Sequence, residues 1–319
     1  MGIVQQPAIR KNRKRSRSYD HQMTKLLSRL LLAASLLAVY PLARALEAPL
    51  VVDSDGDRVG SERFERAVAG LKEAEQALYL YERIERVEDR KSAGDSNPAE
   101  VKVSRVFPAG TGIAHIALGP DSAPENTAAY RNELEKLLNT LTWAATSGKQ
   151  QREAYEKVNK KQKERYDLID QTRNAFVFTF LEQERRGGRT LSKFRMEPNP
   201  NYKPTSRGAS IFAKVKGVVW LDDASGQMAR VQGDVTEDIS FGIFLGKIYK
   251  GSHFMQERYE FGEGVWLPTY SQYDFDGRKF FSQISIHQKM FASHYRRVGP
   301  PADAIPLVRE ELQKLGEAR

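Results

Sequence analysis

Gly217-Val218-Val219-Trp220-Leu221-Asp222 closes a run that begins at Ile211, and its reading decides the fold. On an extended backbone, Phe212, Val218 and Trp220 fall on one side, and Val215, Val219 and Leu221 on the other. Apolar residues on both sides predict a central strand covered on both faces. Working outward, Asp222 to Gly226 reads as a turn and Met228 to Val235 as the return strand. The Ser240-Phe241-Gly242 knot follows, then Phe254 to Glu260 and Val265 to Tyr273, paired across Gly262-Glu263-Gly264. Asp276-Gly277 predicts another tight hairpin, with Phe280 to Gln288 and Met290 to Arg297 as the last strands. Short β-branched and aromatic runs bounded by Gly, Asp and Ser predict consecutive antiparallel strands, and hence an α+β protein that is mainly antiparallel β.

Upstream, Ser61 is placed to cap a helix on which Phe64, Ala67, Val68, Leu71, Ala74 and Leu78 share a face. Tyr79 to Arg90 then changes to strand period, and its many charges predict a wet outer face or a sheet edge. Val101 to Phe107 and Ile113 to Leu118 complete a meander. Helical spacing returns from Pro124 to Ala145, with Leu134, Leu137, Leu138 and Leu141 as its stripe, and from Lys149 to Asp170. The segment Gln151 to Tyr166 is charged nearly all round, as in a solvated helix or an arm that docks on a partner. Ala175 to Leu181 is a strand pointing Phe176, Phe178 and Phe180 to one face. Continued alternation puts Glu182 and Glu184 on that face too. Leu191 to Met196 returns, a loop holding Pro198, Pro200 and Pro204 follows, and a tail helix after Pro300-Pro301 carries Ile305, Val308, Leu312 and Leu315.

Charge is unevenly placed. The chain has 50 Lys and Arg against 41 Asp and Glu. Residues 1–45 hold nine of the basic groups and one acid, so the remainder balances 41 against 40. A nearly neutral body lacks the basic stripe that binds nucleic acid. Leu30 to Val39 is an apolar run preceded by Lys25 and Arg29 and followed by Ala43-Arg44-Ala45. That is the plan of a secretory signal peptide cleaved after Ala45, with Met23 as an alternative start; the run is too short to span a bilayer. Residues 46–60 then read as a linker, 61–299 as the β domain with a helical insertion at about 124–170, and 300–319 as the tail.

Little points to catalysis. Without cysteine there is no disulfide, thiolate nucleophile or Cys-based zinc site. His115, His253, His287 and His294 form no H-E-x-x-H, and no G-x-S-x-G occurs. Asp53, Asp55 and Asp57 begin like a calcium loop, but Arg58 and Phe64 stand where Gly and Glu are needed. No cofactor or metal is expected. Glu182 and Glu184 are the one carboxylate pair that could do acid–base work.

Tyr79-Leu80-Tyr81-Glu82, Pro198-Asn199-Pro200-Asn201-Tyr202, Gly217 to Asp222, Ser240-Phe241-Gly242, Lys250-Gly251-Ser252, Trp266-Leu267-Pro268 and Tyr295 together carry a resemblance. In this order they resemble bacterial envelope proteins of the outer-membrane lipoprotein-sorting type, similar to the periplasmic lipoprotein carriers. The resemblance implies a curved, incomplete antiparallel β-barrel with helices against its open side and a hydrophobic cavity for acyl chains. The helices between Pro124 and Asp170 depart from the compact carrier pattern. The expected role is a periplasmic or secreted, non-catalytic protein that binds a lipid, a lipoprotein acyl chain or another apolar ligand. The expected cavity wall is Phe176, Phe178, Phe180, Trp220, Phe254, Trp266, Tyr270 and Phe281. A cell-envelope interaction module, with a protein partner on the charged helix, is the alternative.

Overall fold

The computed structural model describes residues 57–317 except 93, 207, 241–245, 263 and 281, with side chains from residue 63 onward. The expected leader, the linker to residue 56, Phe241 of the knot, Glu263 of the hairpin and Phe281 of the cavity wall lie outside the described residues.

Helix α1 (Asp57–Ala77) leads into the meander β1 (Tyr81–Arg90), β2 (Glu100–Pro108) and β3 (Ile113–Leu118). Helices α2 (Thr127–Ala144), α3 (Lys149–Ile169) and the short α4 (Thr172–Ala175) follow. Then come β4 (Phe176–Arg186), β5 (Arg189–Pro198), a 3-10 turn (Ala209–Lys214), β6 (Val215–Asp222) and β7 (Met228–Val235). The chain ends with β8 (Ile239–Ser240), β9 (Lys247–Ile248), β10 (His253–Glu260), β11 (Trp266–Lys279), β12 (Ser282–Arg297) and helix α5 (Pro301–Glu317). All strands join one antiparallel sheet in the order β3-β2-β1-β12-β11-β10-β7-β6-β5-β4, with the short β8–β9 pair attached to β11. The sheet is curved and open: β3 and β4 are its two ends. The α+β, mainly antiparallel class expected from the sequence is the observed one.

The two faces of this sheet are covered at opposite ends. Phe64, Ala67, Val68 and Leu71 of α1 pack on Phe176, Phe178, Phe194, Val219, Val231 and Phe254. Register carries that face across the sheet: Phe194 opposes Val219, Val219 opposes Val231, and Tyr273 opposes Phe254. The second core holds Leu134, Leu137 and Leu141 of α2 with Ala304 and Val308 of α5, closed on Phe107 and Ile116. Phe107 alternates with Val106 and Ser104, and Ser104 opposes Glu85 and so Ala292 on the α1 side. The second core therefore lies on the reverse face.

Several expectations are corrected by tertiary context. Ser61 lies inside α1, which already runs from Asp57, and is not its cap. Strand β1 is an interior strand between β2 and β12 and not an edge, and most of its residues are half-buried. Its charged residues tolerate this because Glu82 and Glu85 are buried against arginines. Phe212 sits in the 3-10 turn, outside β6. Asp276-Gly277 makes no hairpin: β11 runs on to Lys279, and the turn falls at Phe280, whose φ is 53°. Gly277 has a different role, since a Cβ there would sit 2.2 Å from the Lys247 carbonyl oxygen of β9.

Gly217 meets the same constraint at the centre. It faces Gly233 across the β6–β7 pair, and a Cβ at Gly217 would lie 2.0 Å from the Gln232 carbonyl oxygen, while the Phe254 ring covers Gly233. Backbone cannot yield as a side chain can. Gly217→Val is therefore expected to destabilise the protein by about 3 kcal/mol, the upper part of the usual overpacking range. A urea titration followed by tryptophan fluorescence checks it, and an unchanged midpoint would show that β6 and β7 can separate freely.

Candidate binding face beneath helix α1

Helix α1 lies over one face of the sheet with its apolar stripe inward. Phe64 stacks on Phe178 at 4.0 Å between ring centroids and meets Phe194 edge-on at 5.1 Å. Between α1 and the sheet remains a small, mostly apolar pocket lined by Phe64, Ala67, Leu71, Phe178, Val219 and Met228 among others, with Thr172 and Arg173 also in its lining. Its volume is about 30 Å³, room for water-sized occupants only.

Ion pairs clamp the polar side of α1. Arg63 reaches Asp223 at 3.1 Å, Lys72 reaches Asp170 at 2.7 Å, Arg165 of α3 reaches Glu75 at 2.7 Å, and Arg173 of α4 pairs with Glu65. Pairs of this half-exposed kind contribute roughly 0–1 kcal/mol each. The helix is thus held chiefly by its apolar stripe.

The residues expected to wall one cavity divide between two faces. Phe176, Phe178 and Phe254 are buried on the α1 side. Phe180 shares that face, with its ring 5.7 Å from Phe194, but is 39% exposed near the open edge. Trp220 is on the reverse face, where Arg230 and Lys193 cover its ring at 4.7 and 5.6 Å. Cation–π cover and the aliphatic stems of these side chains bury it without a helix. Trp266 is likewise packed under the Arg189 guanidinium at 4.9 Å. Tyr270 opposes Glu257 on the reverse face, packs on Phe291 at 5.1 Å and donates its hydroxyl hydrogen to Gln272. These three therefore do not line the pocket.

Glu182 and Glu184 do not converge with the phenylalanine stripe. A bulge between Phe180 and Glu182 sets Glu182 opposite Lys193, so both carboxylates turn to the reverse face, and Glu182 pairs with Lys193 at 2.7 Å. Among the described residues no cluster of three His, Asp or Glu groups is arranged to hold a metal ion, and no helix is long and apolar enough to cross a membrane.

Toward β10–β12 the α1-side face turns polar. Gln256, Arg258 and Ser271 are buried there, and Tyr295 donates its hydroxyl hydrogen to the Pro268 carbonyl at 2.6 Å. Arg258 is 6% exposed. Its Nε and Nη2 donate to the Gln256 Oε1 at 3.1 and 3.0 Å, and its Nη1 has no hydrogen-bond partner among the described residues. Burial pushes the guanidinium pKa down to about 10 against the pull of Glu75, Tyr295 and Tyr273. No sequence pattern singled out Arg258, which sits in an ordinary strand between Glu257 and Tyr259.

On the reverse face, Glu82, Arg105, His294 and Arg296 are among the residues that line an open cleft of about 370 Å³. Arg105 is bound to Glu82 at 2.7 Å and Glu311 at 2.9 Å, and Arg296 also pairs with Glu82. Burial weakens the Arg105 charge, but the two carboxylates more than offset it and hold the group protonated.

No protein-family model and no curated protein matches this sequence. Among solved structures it is similar to a domain described as an outer membrane lipoprotein-sorting protein from Vibrio parahaemolyticus, at 14% identity over 71% of this chain and 91% of that one, with a TM-score of 0.28. It is also similar to a LolA superfamily protein from Nitrosomonas europaea, at 8% identity over 74% and 92%, with a TM-score of 0.29. A DUF1329 family protein from Desulfovibrio piger matches at 9% identity over 73% and 93%, with a TM-score of 0.23.

Proposed function

We propose that this chain is a non-catalytic binding protein of the cell envelope that takes an apolar ligand, such as a lipid or a lipoprotein acyl chain, between α1 and the sheet face it covers. The observation that carries this reading is the apolar pocket under α1, walled by Phe64, Phe178, Val219 and Met228. The secretory pattern of residues 1–45 supports the envelope location.

Ligand sites for small molecules span roughly 300–1,000 Å³. At about 30 Å³ the pocket is closed down, so uptake requires α1 to move outward. Each methylene of an acyl chain that enters contributes about 0.8 kcal/mol. The entering chain would replace the apolar contacts that the stripe of α1 gives up, and the ion pairs along the helix add only roughly 0–1 kcal/mol each.

The test is a titration of detergent-free protein with a fluorescent acyl probe, alongside native mass spectrometry after incubation with host membrane lipid. Saturable uptake is expected, and Ala67→Leu, which fills the pocket, should weaken it about tenfold. Wild-type protein that stays free of lipid and binds no probe would overturn the reading.

A further inference from the structure

The α1-side face carries more cations than acids at its β10–β12 end. Arg83 is paired with Glu85 at 2.7 Å, and Arg165 with Glu75 at 2.7 Å. Arg258 shares this neighbourhood, since Glu75 and both tyrosines, Tyr273 and Tyr295, act on it electrostatically. Three guanidinium groups thus share two carboxylates, and Arg258 is the one without an acid at ion-pair distance. Unpaired charges are rarely left in protein interiors, because desolvation costs several kcal/mol unless something compensates.

The geometry of the remaining donors is specific. Gln256 Oε1 accepts from Nε and Nη2, which fixes one edge of the guanidinium plane. The other edge, carrying Nη1, is buried too and has no hydrogen-bond partner among the described residues. That edge is the fork that receives two oxygens of a carboxylate or phosphoryl group.

Its position also fits. Gln256 opposes Val231, which opposes Val219 in the pocket wall, and Arg258 is the next residue on that face along β10. Two strand spacings of about 4.8 Å and a two-residue step of about 6.6 Å separate the Arg258 backbone from Val219 by about 12 Å. An acyl chain under α1 spans such a distance.

Resting on the binding function proposed above, we propose that Arg258 receives the anionic head group of the ligand, a carboxylate or phosphoryl group, while the chain lies in the apolar pocket beneath α1. The ligand is then an acidic amphiphile, and its head supplies the acid that the cluster lacks.

The experiment measures displacement of a fluorescent acyl probe from detergent-free protein by myristate, methyl myristate and myristoyl lysophosphatidate, in the wild type and in Arg258→Met. Wild type should bind at least one of the two acids tenfold or more tighter than the ester, and Arg258→Met should bring that ratio close to one. Preference for lysophosphatidate over myristate identifies a phosphoryl head, and the reverse a carboxylate. Equal displacement by acids and ester in both proteins would overturn the assignment while leaving apolar binding intact. Displacement by none of them would sink the binding function and this inference together. Arg258→Met removes an unpaired buried cation, so it should melt no lower than the wild type. If it fails to fold, the acid-to-ester ratio of the wild type decides alone.

Discussion

Arg105→Leu is expected to cost about 3–5 kcal/mol of stability, the range for breaking one partner out of a buried ion pair. Glu82 is 7% exposed and sits between Arg105 and Arg296, with Arg105 also holding Glu311 and donating to the Tyr130 hydroxyl oxygen at 2.7 Å. Without the guanidinium, Glu82 keeps only the half-exposed Arg296, and Glu311 keeps only the Tyr130 hydroxyl. The loss is local to β1, β2, α2 and α5, the last three of which contribute residues to the second core.

The double variant Glu82→Leu/Arg105→Leu is expected to recover most of that loss, because replacing both ions with apolar groups removes the desolvation penalty as well as the attraction. Urea unfolding of the wild type, both single variants and the double variant closes the cycle. An Arg105→Leu midpoint within error of the wild type would mean that water replaces the guanidinium, and that the buried charge of β1 has no structural part.

Phe64→Ala carries the second large effect, about 3–5 kcal/mol. Its ring is 5% exposed and touches both Phe178 and Phe194, so truncation removes apolar contact and the stacked pair together. It also enlarges the pocket from its present 30 Å³ or so into a cavity that stays apolar. Such cavities remain dry and take up small apolar molecules. Benzene should therefore raise the melting temperature of Phe64→Ala while leaving the wild type unchanged. If neither protein responds, the sheet has collapsed into the space, and the face under α1 is a filled core with no capacity to open.

The local pattern was legible wherever a period is set by one element alone. The stripes of α1 and α2 are the buried stripes, and Phe176 and Phe178 point inward together as alternation requires. Most strand spans followed from composition and turns, because β-branched and aromatic runs bounded by Gly or Asp have few other uses. Side assignment failed where the chain leaves strict alternation. One bulge after Phe180 moved Glu182 and Glu184 to the reverse face, and a one-residue slip inverts every side chain that follows. Trp220 was rightly expected to be buried, yet its cover is Arg230 and Lys193 from neighbouring strands.

By itself, then, the sequence determined the class of elements, their order, and which residues of each must leave water. Those follow from short-range periodicity and from the cost of exposing apolar surface. Only the tertiary structure decided that β1 is interior, that the sheet is covered on opposite faces at its two ends, and that Gly217 and Gly277 are held by neighbouring carbonyls. It alone left Arg258 buried beside Gln256 with Nη1 unpartnered among the described residues. A charge or a glycine has no intrinsic side: its meaning is set by the strand that pairs beside it, and pairing joins residues far apart in the chain.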